Sequence, residues 1–293
     1  MKERTGRPTA WRHFRRAFEE ESGADLGWFF EAWVVRPGAP AIRLDEVGVV
    51  EGAEPVVRLA LSATSPVRAL LPVEIRLAEG PPIRRCVDAV LGPEPTGFEW
   101  LLPAGARPVA VAVDPDADAM RALDPEEVPA TLRLAFGAER LRVVLPAGAS
   151  EEMAAAYRRL ADGLGERLAI EVVAGEPGSL PEGAVLLLGG PAENALSRAV
   201  LRGLGPGASI EGATWRGGGV EVAGDGAALV ACARNGRDGI VVVVAAATPA
   251  ALDAAGPKLV HYGTYGYLLF DAGRNVAKGV LDSPASPLVR TLE

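Results

Sequence analysis

The hydrophobic period changes twice along this chain, and that change constrains the fold more than any single motif. Up to about residue 44 the apolar residues recur at helical spacing. Trp11, Phe14 and Phe18 lie at i, i+3 and i+7, and Leu26, Phe29, Phe30 and Trp33 at i, i+3, i+4 and i+7. From Asp45 to about Val113 they alternate instead: Leu71, Val73, Ile75 and Leu77 are interleaved with Pro72, Glu74 and Arg76. Val57, Leu59 and Leu61, then Phe98, Trp100 and Leu102, then Val109, Val111 and Val113 repeat that pattern. Turn chemistry such as Glu79-Gly80-Pro81-Pro82 and Gly92-Pro93 separates them. Short strands of this kind predict an antiparallel β-sandwich. From Leu132 onward apolar strands alternate with amphipathic helices, which predicts an α/β domain with a mixed sheet. The expected architecture is therefore multidomain α+β: short helices over 1–44, a sandwich over 45–131 and an α/β domain over 132–293. The boundary falls at Pro129-Ala130-Thr131.

Local signals sharpen each part. Ser22-Gly23 reads as a helix C-cap, Asp25 as the next N-cap, and Arg36-Pro37-Gly38 as a stop. The second helix is apolar on most sides, so it is expected to be buried. In the α/β region, Leu141–Leu145, Leu168–Val173 and Val185–Leu188 read as strands. Ser150 caps a helix carrying Met153, Tyr157, Leu160 and Leu164, and Leu196, Val200 and Leu204 mark another. Asp225-Gly226 signals a hairpin between Glu221-Val222 and Leu229-Val230. Ile240 to Val244 is a further strand, Thr248-Pro249 starts a helix, and Tyr265 to Phe270 is the last expected strand before a loop-rich tail.

The balance of charge excludes some function classes. A net charge of −8 with both signs interspersed disfavours nucleic acid as a partner, because phosphates need a basic face. No run of 18 apolar residues occurs, so no membrane span is expected. The opening MKERTGRPTAW has no apolar h-region, so no signal peptide is expected and the compartment stays open. The 2 cysteines, Cys86 and Cys232, fall in different expected domains and read as buried free thiols.

Few residues present themselves for chemistry. Gly189-Gly190-Pro191-Ala192-Glu193-Asn194 joins a strand to a helix N-terminus, a geometry that suits an anion, with Gly189, Gly190 and Asn194 as candidate ligand-binding residues. Glu193 in the first turn opposes that reading, since it would repel an anion, and a plain tight turn competes with it. The second candidate is the block from His261 to Tyr267, with His261, Tyr262 and Tyr265 able to line a pocket. Its competing reading is tyrosines packed on one face of a terminal strand. Asp114-Pro115-Asp116-Ala117-Asp118 imitates a calcium loop but has Ala119 and Pro125 where glycine and glutamate are required, so a solvated turn capping a helix through Met120, Arg121 and Leu123 is expected. The 2 histidines, His13 and His261, stand far apart, and neither an H-E-x-x-H nor a G-x-S-x-G is present. No catalytic or metal-ligating residue is assigned and no cofactor is expected in this chain. Trp11, Phe14, Phe18, Phe30 and Trp33 hold more aromatic surface than one sandwich edge buries, which makes them a candidate interaction surface.

The run D-L-x-W-F-F-x-x-W from Asp25 to Trp33, followed by R-P-G-A-P-x-I-R-L from Arg36 to Leu44, resembles the last helical elements of the zinc aminopeptidases related to aminopeptidase N and leukotriene-A hydrolase. The stretch D-P-D-x-D-x-x-R-x-L-D-P-x-E-x-P, from Asp114 to Pro129, resembles the close of the β-domain in bacterial relatives. The resemblance covers roughly the first 130 residues and implies a β-sandwich after the helices. It also implies a non-catalytic C-terminal region whose zinc would lie in an upstream catalytic domain. The partners so implied are that catalytic domain or a second copy of the chain, with a peptide as possible substrate of the whole. The alternatives are a stand-alone module for a small ligand or protein, without enzymatic activity, and a hydrolase with a site around His261.

Overall fold

The computed structural model describes residues 8–173, 177–281 and 286–292. The chain is α+β and divides into two compact units, Met1–Glu127 with Ala285–Glu293, and Val128–Pro284.

The first unit opens with helix α1 (Trp11–Ser22), which ends where Gly23 adopts φ 67° and donates its N–H to the Glu19 carbonyl. Asp25 Oδ1 then accepts the Gly27 N–H at 2.8 Å, opening α2 (Gly27–Phe30), which loosens into one π-helical turn, Glu31–Val35. The expectation that this second helix is buried is overturned. Only Phe30 is buried, while Trp28 and Phe29 are 40% and 41% exposed. The element is too short to be surrounded, and it touches the sandwich through one side, with Phe30 buried and Trp33 packed on the sandwich core.

Six strands follow: β1 (Ile42–Val50), β2 (Val56–Ala63), β3 (Val67–Leu77), β4 (Ile83–Leu91), β5 (Thr96–Leu101) and β6 (Pro108–Val113). They form two antiparallel sheets, β1-β2-β5 and, with the strand β17 (Val289–Thr291), β17-β6-β3-β4. The alternation read from the sequence is the alternation of the core. Leu71, Val73 and Ile75 face Val57, Leu59 and Leu61 within one apolar cluster. Strand β17 is unlike the expected loop-rich tail, for Val289–Thr291 pairs with Ala112–Ala110 and rejoins the sandwich.

The helix expected through Met120 does not form. Asp114, far from being a solvated turn residue, has a fully buried carboxylate that accepts N–H bonds from Asp118 and Ala119 and an ion pair from Arg121 at 2.7 Å. Arg121 reaches on to Glu127, also at 2.7 Å, and so knots the loop. A buried guanidinium satisfied on both sides outweighs the propensity of a short helical stretch.

The second unit is a seven-stranded mixed sheet in the order β16-β15-β13-β14-β9-β7-β8. Its strands are β7 (Leu141–Val144), β8 (Ile170–Val172), β9 (Ala184–Leu188), β13 (Ala227–Asn235), β14 (Gly239–Ala246), β15 (Tyr267–Asp271) and β16 (Arg274–Gly279). Strands β8, β7, β9 and β14 are parallel and the remaining pairs antiparallel. Helices α3 (Leu132–Phe136), α4 (Glu151–Gly165) and α6 (Pro249–Ala255) contribute to the core on one face. Helix α5 (Ala195–Leu204) and a small sheet, β10 (Ala208–Glu211), β11 (Thr214–Gly217) and β12 (Val220–Ala223), cover the other. Ser150 Oγ and Thr248 Oγ1 cap α4 and α6 as their sequences predict. The central strands are apolar throughout because both faces are covered.

Two expectations fail here. Asp225-Gly226 does not close a hairpin: β12 pairs with β11, and the chain crosses at Gly224–Gly226 into the large sheet, where β13 pairs with β14 and β15. The wholly buried run Ala227–Cys232 belongs in a covered sheet, and the half-exposed β12 does not. The other is the tail, where Ala272 and Gly273 adopt φ 46° and 76° and turn β15 back into β16.

Candidate functional site

The loop Gly189–Asn194 lies where a doubly wound sheet binds its ligands. Helix α4 leaves β7 for one face of the sheet and α5 leaves β9 for the other, so the crevice beyond these neighbouring strands is a topological switch point. In this chain the crevice is filled from within. Gly190 N–H donates to Glu193 Oε2 at 2.8 Å, and the same oxygen accepts the Tyr157 hydroxyl at 3.1 Å. Asn194 Oδ1 takes the N–H groups of Leu196 and Ser197, while its Nδ2 donates to the Leu188 carbonyl. The loop after β7 closes the space from the other side, with Gly148 N–H on the Glu193 carbonyl at 2.9 Å. A Cβ at Gly189, where φ is 100°, would stand 2.7 Å from Pro146 Cβ, so glycine is required by close approach rather than by a ligand. The donors that would greet an anion are spent on Glu193 and Asn194, and a carboxylate already occupies the place of the charge. Burial, with the Glu193 charge next in weight, raises the Tyr157 pKa, so the hydroxyl stays a neutral donor.

The tyrosine block divides. Tyr262 and Tyr265 pack on the α4–α6 face, their ring centroids 5.9 Å apart, with Lys278 Nζ 5.4 and 4.9 Å from the two centroids. Tyr262 meets Phe270 edge-on at 6.0 Å. Tyr267 turns to the opposite face and slides under the small sheet, where a Cβ on Gly218 would fall 1.9 Å from its hydroxyl oxygen. The expectation of Tyr265 and Tyr267 on one face is thus corrected by the strand alternation that starts at Tyr267. His261 ends the 3-10 turn Gly256–His261 and is exposed. Gly189, Gly190 and Asn194 and the His261–Tyr265 cluster form two separate places and not one pocket. Among the described residues no three His, Cys, Asp or Glu side chains come together in a way that could hold a metal ion.

The N-terminal aromatics are arranged differently again. No residue of α1 is buried. Trp11 and Phe18 are 64% and 56% exposed, and the Trp11 ring lies tilted against Phe14 with centroids 5.6 Å apart. The helix is held at its far end by Glu19, which accepts the Leu26 N–H, and by Arg15, which reaches Asp25. His13 is accounted for locally, since its Nδ1 accepts the Ala10 N–H at the helix start. Phe30 and Trp33, expected on this surface, are instead turned inward, Phe30 buried and Trp33 packed on the sandwich core. Further apolar side chains are exposed on the first unit at residues the sequence reading did not single out. The Arg68 guanidinium lies 4.7 Å over the Trp28 ring, and Val90, opposite Arg68, and Leu70 are 68% and 66% exposed. Leu70 was discoverable: it shares the outward register of β3 with Arg68, Pro72 and Glu74, where a polar residue is expected.

Cys86 is exposed on β4 and Cys232 is buried in β13, both as free thiols, so the expectation of buried thiols holds for one of them. No helix among the described residues is long and apolar enough to cross a membrane. No protein-family model matches this chain, and no curated protein matches it.

Proposed function

We propose that this chain is a non-catalytic accessory region that docks, through α1 and the outer face of β3-β4, on the helical body of an aminopeptidase-like zinc peptidase. There it would brace the catalytic half and complete the wall of the peptide channel. The observation that carries this reading is that α1 is amphipathic and that none of its residues is buried. A free helix of 12 residues is marginal in water, so its aromatic face needs a cover to earn a fixed place. The resemblance of Asp25–Leu44 to the end of the aminopeptidase helical region supports an apolar helical surface as that cover. Zinc and the catalytic groups belong, in this reading, to the partner.

The test is sedimentation of the chain alone and mixed with a recombinant aminopeptidase N-like catalytic and helical body that lacks its own C-terminal region. We expect dye-accessible apolar surface on the free chain, a complex with that body, and loss of both in Phe18→Asp. A monomer that binds neither the dye nor the body would overturn the reading, and a stable homodimer through α1 would replace it with self-association.

A further inference from the structure

Helices α4 and α6 touch and then part. A Cβ at Gly256, just after α6, would stand 2.8 Å from Leu160 Cδ1, so the two helices meet closely there. Beside this contact they leave a cleft of about 320 Å³. That is the lower end of the range of small-molecule sites, which suits a ligand of few atoms. Its floor is apolar, built by Leu160, Leu164, Leu252 and Val260.

The rim carries four charges with different fates. Arg159 donates to both oxygens of Asp253, at 3.1 and 2.8 Å, and so closes a clasp between the helices. Glu166 and Arg167 also line the cleft, and among the described residues neither side chain has a hydrogen-bond or ion-pair partner. One free carboxylate and one free guanidinium beside an apolar floor complement a head group that carries both signs. An isolated anion would meet the Glu166 charge, and an isolated cation the Arg167 charge. The cleft is also kept open by sequence. Gly163 lies inside α4, where glycine weakens a helix, and a Cβ there would meet nothing within 4 Å. We infer that the α4–α6 cleft of the second unit binds a small zwitterion with an apolar tail, of which an apolar α-amino acid is the simplest example. The guanidinium of Arg167 would take the carboxylate, Glu166 the ammonium, and the leucine floor the tail. This site is independent of the docking proposed for the first unit.

The experiment is calorimetric titration of the whole chain with L-leucine, and with glycine, N-acetyl-leucine and leucinamide as controls. L-leucine should bind saturably with a Kd of roughly a millimolar or tighter. Glycine lacks the tail and each blocked form lacks one charge, so all three should bind at least about tenfold more weakly, and Arg167→Ala should cost L-leucine a similar factor. Gly163→Leu places a side chain in open space on a helix; it should raise the melting temperature of the second unit and abolish binding. No saturable binding of L-leucine to the wild type overturns the proposal. So does equal binding of N-acetyl-leucine, or binding that Gly163→Leu leaves unchanged.

Discussion

Helices α1 and α4 are written in the same grammar, apolar on one face and charged on the other, yet the fold treats them oppositely. In α4, Met153, Ala156, Tyr157, Ala161 and Leu164 are buried against the large sheet, and Ser150 caps the first turn. In α1 no residue is buried and the helix is tethered mainly through Arg15 and Glu19. The difference teaches that amphipathicity specifies a face in want of a partner and not where that partner comes from. For α4 it is the sheet that β7, β9 and β14 build; for α1 the described residues supply none.

The comparison is most exposed to a core substitution. Leu164→Ala in α4 removes a buried side chain and should cost the second unit about 2–5 kcal/mol. Urea unfolding followed by hydrogen exchange in residues 128–281 measures it, and a loss below half a kilocalorie would mean that α4 is no better covered than α1.

A second test separates the units by pH. In the first unit, burial alone would raise the Glu127 pKa. The bonds from Arg121, Ser286 and the Asp124 N–H outweigh that and hold it below the ordinary value. Its folded pKa is therefore depressed, so its stabilisation is present above about pH 4.3 and is lost as pH falls through the folded value. In the second unit burial pushes the Cys232 thiol up to about 12 and raises the Tyr157 hydroxyl as well. These groups fold in their neutral forms, so their contribution is complete below about pH 8.5 and 10 respectively and is lost as pH rises beyond those unfolded values. Hydrogen exchange between pH 3 and 11 should find the first unit failing first in acid and the second first in alkali. The reverse order would break the assignment.

The smallest expected effect belongs to α1. Phe18→Ala should change the unfolding free energy by less than about 0.5 kcal/mol, because the ring is exposed. A cost of about 2 kcal/mol would show that the helix is covered by its own chain in solution.

What was legible follows the range of the physics. The strands of the sandwich, the caps Ser150 and Thr248, and the buried β9 and β14 are recorded in spacing and in single residues, so the sequence displays them. The closure of the Gly189–Asn194 loop was half legible, because Glu193 is an evident obstacle to an anion, but Tyr157 stands in another helix and no local pattern announces their bond. The hairpin at Asp225-Gly226 was misread because turn chemistry cannot say which sheet takes each arm. Arg121 was misread because its burial depends on Asp114 and Glu127, which become partners only in the folded loop. The second helix suggested burial because it is apolar on most sides, and a local pattern does not reveal whether the fold has enough surface to surround it. The α4–α6 cleft escaped reading altogether, since Leu160 and Gly256 meet across two helices and only Gly163, out of place inside α4, hinted at it.

Strand β17 gives the protein a particular order of assembly. Because Val289–Thr291 pairs with β6, the whole of the second unit is synthesised between two neighbouring strands of the first. At ordinary ribosomal speed β6 waits roughly ten to thirty seconds for that neighbour. During that interval its outer backbone is an open template for foreign strands. The second unit, whose strands all come from within its own stretch, can fold while the first is still waiting. The earlier half of this chain is thus the later to complete its sheets.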